Sequence, residues 1–261
     1  MMEAPVLFEK KEAAAWVTLN RAERMNTLTP ELIATLLETL ARCEADDEVR
    51  VVVLCGKGRA FCAGGDLPTI RGFERVEEAE AYVRGAGKIT SAILSSKKPY
   101  IAMVGGAAAG AGFNIALACD FICAARGAKF TQAFAAIGLI SDCGGSLLLP
   151  KLVGLAAAKR LMMLPDVLSA EEAASLGIVT EVADDARLAE CVGKLVSRFG
   201  AQSPLASAAS KRMLNMRLCA ELDGALLLEE DAQSQLIVGA DCKEGIDAFF
   251  AKRAPVFHGK S

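Results

Sequence analysis

The sequence predicts an α/β fold in which buried strands alternate with helices. Residues 51–55 (VVVLC) are apolar at every position, as expected for a strand covered on both faces, and a second strand of this kind begins at Tyr100. Each of these strands leads into a glycine-rich segment, at 56–67 and at 105–112, and a helical pattern follows. With 261 residues, the chain is long enough to bury a large core.

The other elements follow from start signals and from apolar spacing. Thr29 and Pro30 begin a helix, since threonine caps free amides and proline fits the first helical position, and the apolar spacing continues this helix to about Ala45. Further strands are predicted at 6–10, 14–19, 121–125 and 178–182. Further helices are predicted at 75–94, 146–153, 155–164, 170–176, 185–200, 204–220 and 222–237, and the tail 243–253 is amphipathic.

The composition argues against several classes of protein. A net charge of −3 gives no general reason to expect nucleic-acid binding. The N-terminus lacks a basic segment followed by an apolar stretch, so we expect no secretory signal and a cytoplasmic location. Nine cysteines without a C-x-x-C pair indicate a reduced protein with buried thiols. An apolar fraction of 53% indicates that further apolar surface is hidden in subunit contacts.

The single histidine restricts the chemistry that the chain can perform. His258 lies in a polar tail, so a Ser-His-Asp or Cys-His nucleophile system is close to excluded. A histidine-rich metal site is disfavoured for the same reason, and we expect no metal. Proton transfer must therefore fall to carboxylates, lysine, tyrosine or cysteine.

The segment 100–120 is the predicted centre of the site. It carries glycines at 105, 106, 110 and 112 and no charge before Asp120. A helix that follows a glycine-rich turn presents unpaired N-terminal amides, which favour negative charge. The alternatives are a membrane span, a dinucleotide-binding turn and a strand–helix unit without a ligand. The four glycines argue against a span, and Ile115 stands where a dinucleotide fingerprint needs its third glycine.

Three motifs in a fixed order carry a family resemblance. They are GRAFCAGGDL at 58–67, GGAAAGAGFNIALACD at 105–120 and AKFTQAFAAIGLISDCGG at 128–145. With them, the chain resembles the crotonase (enoyl-CoA hydratase/isomerase) superfamily over essentially its whole length. The loop G-L-I-x-D-C-G-G resembles the ring-epoxide isomerases of that superfamily, the 1,2-epoxyphenylacetyl-CoA type.

The resemblance implies a fold and a substrate class. The expected fold is a spiral of ββα units at 1–200, which contains the acyl-CoA site, followed by a helical oligomerisation region at 201–261. The expected assembly is a homotrimer or a dimer of trimers. Coenzyme A would be part of the substrate, and no separate cofactor is expected.

The resemblance also assigns site residues by motif position. The backbone amides of Gly65 and Ala111 would form an oxyanion hole for the thioester oxygen. The positions matched to coenzyme A or acyl-group binding are Arg24 near the phosphates, Ala63, Asp66 and Leu67 along the adenine and pantetheine path, Gly110 and Phe134 beside the acyl group, and Phe249 and Lys252 at the C-terminal end of the site.

Two positions depart from the hydratases of this superfamily, which use two glutamates to activate water. Asn114 and Phe134 stand at these positions, and neither side chain can act as a carboxylate base. Asp142 remains, at the position of the catalytic aspartate of the ring-epoxide isomerases. Its apolar loop should raise its pKa, which suits proton transfer at carbon. Its alternative role is an Asx turn or an N-cap ahead of Ser146.

The sequence therefore predicts an enzyme, an acyl-CoA isomerase. It would move a proton and a double bond in an unsaturated acyl-CoA, or isomerise a ring epoxide, through a thioester enolate. The alternatives are an enoyl-CoA hydratase, a dehalogenase with Asp142 as nucleophile, and a non-catalytic acyl-CoA binder. Cys62, Cys119 and Cys143 flank the site and are expected to be small buried thiols. Gln132 has no role that the sequence assigns.

Overall fold

The computed structural model describes residues 4–259, and the predicted α/β class is confirmed. The strands are β1 (Val6–Lys11), β2 (Ala14–Leu19), β3 (Val51–Gly56), β4 (Ala60–Cys62), β5 (Tyr100–Val104), β6 (Ala107–Ala109), β7 (Phe121–Ala125), β8 (Lys129–Thr131), β9 (Val167–Ser169) and β10 (Glu181–Ala183). The α-helices are α1 (Pro30–Ala45), α2 (Leu67–Arg71), α3 (Val76–Ser95), α4 (Ala111–Ala118), α5 (Gly145–Val153), α6 (Leu155–Met163), α7 (Ala170–Ser175), α8 (Leu188–Gly200), α9 (Pro204–Val238) and α10 (Ala240–Ala251).

The strands form two sheets that the chain visits in turn. The large sheet has the order β1-β2-β3-β5-β7-β10, and the small sheet has the order β4-β6-β8-β9. Only β1–β2 and β8–β9 are antiparallel among these pairs. Three successive passes of the chain each place one strand in the large sheet and the next in the small sheet, and helical structure follows. The passes stack side by side, so β4, β6 and β8 become neighbours.

The local signals in the sequence explain the first helix and the central strand. Oγ1 of Thr29 accepts a hydrogen bond from the amide of Leu32 at 3.2 Å, so the predicted cap of α1 is confirmed. Val51, Val52 and Leu54 of β3 are completely buried, as expected for a strand with neighbours on both edges and cover on both faces.

The C-terminal helices differ from the prediction. Segments 204–220 and 222–237 are a single helix, α9, of 35 residues. The prediction of two helices is wrong because Ala220, Glu221 and Leu222 all favour helix and nothing between the two segments stops it. The boundary at residue 200 falls at the end of α8, and the division into two domains stays a prediction.

The strand predicted at 178–182 begins later than expected. The amides of Ile178 and Val179 both point to the carbonyl oxygen of Ala173, where they close the end of α7. The prediction is therefore wrong for residues 178–180, and only Glu181–Ala183 pairs with β7. The three-residue strands β4 and β6 and the short helix α2 are not predicted, because such short elements depend on their neighbours rather than on propensity. No helix among residues 4–259 is long and apolar enough to cross a membrane.

A buried ion pair fastens α9 to the rest of the molecule. Nζ of Lys211 donates to Oδ2 of Asp120 at 2.7 Å and to the carbonyl oxygens of Ile93 and Lys98, each at 2.9 Å. Three acceptors therefore satisfy the three protons of the ammonium group. Burial raises the pKa of Asp120, and the charge of Lys211 opposes that shift.

Replacing Lys211 by methionine should therefore destabilise the protein. The substitution leaves Asp120 buried without its cation, which we expect to lower the free energy of unfolding by about 3–5 kcal/mol. Urea denaturation measures this change. Lys159→Met, at an exposed position on α6, is the matched control and should have little effect. Adding Asp120→Asn to Lys211→Met should recover part of the loss, and equal stability of wild type and Lys211→Met would contradict the analysis.

Candidate active site

Two glycine-rich loops meet at one edge of the small sheet. β4 and β6 are neighbouring parallel strands, so the loops that follow them leave the sheet at the same edge. A side chain on Gly64 would lie 2.8 Å from the carbonyl oxygen of Ala109 and 3.4 Å from the amide nitrogen of Ala111. The loop that contains Gly65 therefore lies against the first residue of α4.

The backbone amides of Gly65 and Ala111 are available as donors at this edge. The amide of Leu28 donates to the carbonyl oxygen of Gly64 at 2.8 Å, and its carbonyl oxygen accepts from the amide of Asp66 at 3.2 Å. This bridge passes over Gly65 and leaves its amide unused. Ala111 begins α4, so its amide has no partner within the helix. Among residues 4–259, neither amide has an acceptor. The arrangement can bind an oxygen atom that carries negative charge.

Asp66 holds the first loop in place. Its Oδ1 accepts from Oγ1 of Thr27 at 2.7 Å, and its Oδ2 accepts from Oγ1 of Thr69 at 2.8 Å. The same Oδ2 accepts from the backbone amide of Thr69 at 3.3 Å and so caps α2. Burial alone would raise the pKa of Asp66, but the hydrogen bonds from Thr27 and Thr69 outweigh it and the pKa is lowered. Ala63 and Leu67 are half-buried beside it. Contact of these residues with coenzyme A stays a prediction.

Phe134 covers the turn before α4. Gly110 has a φ of +51°, and a side chain there would lie 3.4 Å from the ring of Phe134. The ring itself is buried. An apolar surface therefore closes the position where, by the resemblance, hydratases carry a glutamate.

Asn114 is the centre of a buried hydrogen-bond network. Its Nδ2 donates to the carbonyl oxygen of Asp142 at 2.7 Å and to Oγ of Ser141 at 3.0 Å. A carbonyl oxygen can only accept, so the amide orientation is fixed, and Oδ1 of Asn114 accepts from Nε2 of Gln132 at 2.7 Å. Oγ of Ser141 donates to Oε1 of Gln132 at 3.2 Å and closes the ring. Asn114 therefore supports the backbone at Asp142.

The carboxyl group of Asp142 is buried with one oxygen bare. Asp142 is 6% exposed, and its Oδ2 accepts from Nε2 of Gln233 at 3.2 Å. Its Oδ1 is the one buried side-chain nitrogen or oxygen atom without a hydrogen-bond partner in the described part of the chain. Such an atom is costly to keep, so it calls for a functional explanation.

The alternative role of Asp142 as a helix cap is wrong. The N-terminus of α5 is capped instead by Glu229, which comes from α9. Its Oε2 accepts from the amide of Gly144 at 2.8 Å, and its Oε1 accepts from the amide of Ser146 at 2.9 Å. The carboxyl group of Asp142 is left free for another role.

The surroundings of Asp142 raise its pKa to about 7. Burial is the largest cause, and the negative charge of Glu229 adds to it, whereas the hydrogen bond from Gln233 and the interaction with the thiol of Cys143 lower the pKa. A carboxyl group with this pKa exists in both protonation states near neutrality. It can therefore accept a proton and return it under the same conditions.

Further contacts hold the loop around Asp142. Cys143 has a φ of +52°, which is uncommon for a residue with a side chain, and its carbonyl oxygen accepts from Oγ1 of Thr90 at 2.7 Å. A side chain on Gly145 would lie 2.3 Å from Nδ2 of Asn114 and from Oγ of Ser141. Glycine is therefore required at 145 for the network to approach the loop.

The cysteines near the site are buried, as predicted. Burial raises the pKa of Cys62 to about 12, and it raises the pKa of Cys119 and of Cys143 as well. These thiols are neutral near pH 7 and do not compete with Asp142 as bases.

Three residues assigned by the resemblance lie outside this cluster. Arg24 is exposed on a short 3-10 helix, and Phe249 and Lys252 are exposed at the end of α10. The ring of Phe249 packs edge-on against Phe250, with 5.6 Å between the centroids. Their role in binding coenzyme A stays a prediction.

Sequence reasoning misses the residues that support Asp142. Gln132 is completely enclosed rather than exposed, and Glu229 and Gln233 lie on α9, about ninety residues further along the chain. Their separation of four residues, with both polar, is common on solvated helix faces. The sequence therefore contains no signal that distinguishes them.

Comparisons with known proteins agree on one family. The family model described as enoyl-CoA hydratase/isomerase matches residues 9–260. The 1,2-epoxyphenylacetyl-CoA isomerase of Escherichia coli is 39% identical over 266 residues and covers 100% of both chains. A probable enoyl-CoA hydratase of Rhodobacter capsulatus is 38% identical and covers 98% of both chains.

A solved structure agrees with these relatives. The crystal structure of an enoyl-CoA hydratase from Mycobacterium avium subsp. paratuberculosis superposes with a TM-score of 0.87 at 35% identity. The match covers 98% of this chain and 99% of that one. Relatives with isomerase names and relatives with hydratase names are thus similar to the chain to a comparable degree.

Replacing Asn114 by glutamate should destabilise the site. An ionised glutamate cannot donate to the carbonyl oxygen of Asp142 and would add a buried negative charge beside it. We expect the free energy of unfolding to fall by about 3 kcal/mol or more, measured by urea denaturation. Gln202→Glu makes the same change of an amide into an acid at an exposed position and is the control. Equal stability of both variants would show that the network does not depend on the amide.

Proposed function

Because the chain belongs to the enoyl-CoA hydratase/isomerase family and has the crotonase fold, we propose that it is an acyl-CoA isomerase. Asp142 moves a proton within an unsaturated or ring-epoxide acyl group. The amides of Gly65 and Ala111 hold the thioester oxygen while negative charge develops on it.

The observation that carries this proposal is the bare Oδ1 of Asp142. It is a buried oxygen without a partner, on a carboxyl group whose pKa is about 7. A general base works best when its pKa lies near the working pH, and such a group contributes a factor of roughly 10² to 10⁴ to the rate. The position is therefore suited to a proton that is taken and then given back.

The proton balance of an isomerisation requires only one such group. Oδ1 of Asp142 takes a proton from an acidic carbon of the acyl chain, and the electron pair of that C–H bond enters the thioester enolate. The enolate then receives the same proton at another carbon, and the double bond shifts. Nothing is added or lost overall, so no second acid and no water are needed.

The two backbone amides supply the stabilisation that the enolate needs. Preorganised donors in a site closed to water stabilise a developing oxyanion, and removal of one such donor costs on the order of 3 kcal/mol. The amide of Ala111 also lies at the positive end of the dipole of α4, which favours the same charge.

Water addition is the alternative that the hydratase-named relatives keep open. Two observations favour the isomerase. Asn114 uses its amide to hold the backbone of Asp142, and Phe134 presents a ring. Glu229, the other buried carboxyl group nearby, has both oxygens occupied by backbone amides. A hydratase mechanism that uses two free carboxyl groups would therefore find only one of them here, that of Asp142.

The proposal extends to the rest of the binding site and to the assembly. Arg24, Phe249 and Lys252 are exposed and available to coenzyme A, and the enzyme works in the cytoplasm without a separate cofactor. Helix α9 exposes the apolar side chains of Leu205 and Leu214, which supports a homotrimer or a dimer of trimers.

Asp142→Asn is the direct test of the proposed role. Asparagine keeps the shape and the hydrogen bond from Gln233 but cannot accept a proton, so turnover of enoyl-CoA and epoxy-acyl-CoA substrates should fall by at least about 10²-fold. Binding of the coenzyme A thioester, measured by calorimetry, should be retained. Turnover near the wild-type rate would remove Asp142 from the mechanism. Binding without any turnover by the wild type would support a non-catalytic acyl-CoA binder.

The raised pKa of Asp142 also predicts how the activity of the wild type depends on pH. The base must be ionised to accept a proton, so kcat/KM of the wild type should rise with pH through a pKa of about 7 and then level off. A rise centred near pH 4, as for an exposed aspartate, would contradict a buried base.

A further inference from the structure

Helix α9 brings two buried polar side chains to the loop of Asp142. Glu229 is 3% exposed and Gln233 is 1% exposed, and residues four apart lie on the same face of a helix. Buried polar groups of this kind persist where each has partners. The partners of both side chains lie in the loop 140–146.

The orientation of the Gln233 amide follows from its partners. Its Oε1 accepts from the backbone amide of Ile140 at 3.0 Å. A backbone N–H can only donate, so the oxygen of the side chain must face Ile140 and the NH₂ group must face Asp142. Nε2 then donates to Oδ2 of Asp142 at 3.2 Å. Gln233 therefore connects the backbone before Asp142 with one of its carboxyl oxygens.

Glu229 holds the other side of the same loop. It accepts from the amides of Gly144 and Ser146, which follow Asp142 in the chain. One helix face thus fixes the loop before and after the aspartate. The backbone on both sides of Asp142 is thus anchored to the helix that carries Gln233.

We propose that Gln233 is a positioning residue for the proton transfer: by holding Oδ2 of Asp142, it makes Oδ1 the oxygen that exchanges the proton with the substrate. This inference rests on the proposed function and adds to it a residue that does not touch the substrate. Gln233 acts through Asp142 alone, because its own two polar atoms are occupied by Ile140 and Asp142.

The ionisation of Asp142 also depends on its hydrogen bond from Gln233. The titratable groups that face it are Glu229 from α9, Tyr82 from α3 and Cys143 from the loop itself. Burial raises the pKa of Tyr82 and of Cys143, so both are neutral near pH 7. Glu229 disfavours the ionised form of Asp142, whereas the NH₂ group of Gln233 favours it most and the thiol of Cys143 favours it less. Loss of the donor on Gln233 should make Asp142 a base that is ionised only at higher pH.

Gln233→Met tests the proposal with a side chain of similar size and no hydrogen-bonding groups. We expect kcat to fall by about 10- to 100-fold because the base is no longer aligned, while KM for the acyl-CoA stays within about twofold. The acid limb of the kcat/KM profile should move to higher pH by about one unit. Gln235→Met makes the same change at an exposed position on α9 and should behave as the wild type.

Gln233→Glu keeps the shape and tests the same contact if Gln233→Met does not fold. A carboxylate facing Asp142 repels its ionised form, so the acid limb should again move to higher pH. A residue that only stabilised the fold would change urea denaturation and leave the acid limb where it is. Unchanged kcat and an unchanged acid limb in the folded variants would overturn the proposal.

Asp142→Asn, assayed in parallel, separates the two proposals. If Asp142→Asn is inactive and Gln233→Met and Gln233→Glu match Gln235→Met in rate and in pH profile, only the role of Gln233 is wrong. If Asp142→Asn keeps the wild-type rate, the proposed function itself fails, whatever the Gln233 variants do.

Discussion

The buried carboxyl group of Asp142 is the constraint on which the rest of the site depends. An ionised oxygen without a partner in an apolar surrounding is costly, and the pKa of about 7 is the measure of that cost. The fold keeps the group in place by fixing what surrounds it. Asn114 holds the backbone carbonyl, Gln233 holds one carboxyl oxygen, and Glu229 caps the helix that follows. The other oxygen has no hydrogen-bond partner.

These supports come from distant parts of the chain, which explains why the architecture matters for the chemistry. The stacking of β4 beside β6 brings the amides of Gly65 and Ala111 to one edge of the small sheet. The first turn of α4 places Asn114 within hydrogen-bonding distance of the backbone of Asp142. Helix α9, near the C-terminal end of the chain, contacts the same loop on both sides of Asp142. The buried pair of Lys211 and Asp120 anchors the first half of α9. A firmly placed α9 in turn fixes the position of Gln233.

The sequence predicts the parts of this arrangement that arise from local chemistry. The apolar strand at 51–55, the cap at Thr29 and the glycine-rich turns are visible because each depends on neighbouring residues. Asp142 is found because the family resemblance matches its position to a catalytic aspartate, and its apolar, otherwise uncharged loop supports that assignment. Gln132, Glu229 and Gln233 are not found, because their burial results from tertiary packing. An uninterrupted α9 is missed because the helical pattern weakens near 221, although the residues there favour helix.

Family membership limits the reaction to the chemistry of enoyl-CoA hydratases and isomerases, but it does not distinguish between the two. Hydratase and isomerase names both occur among the relatives, at 38% and 39% identity. In this chain an amide and a phenyl ring stand where the resemblance expects two acids. Their contacts give each a structural task, so the proposed function assigns the proton chemistry to a single carboxyl group.

The protonation of Asp142 in the folded protein is the quantity that tests this account most directly. The chain can be labelled with ¹³C at the aspartate carboxyl carbons, and the resonance missing from Asp142→Asn identifies the group. Its chemical shift as a function of pH should show a midpoint close to 7. A midpoint near the ordinary aspartate value of about 4 would contradict the account, because the group would then be exposed or paired rather than buried with a bare oxygen.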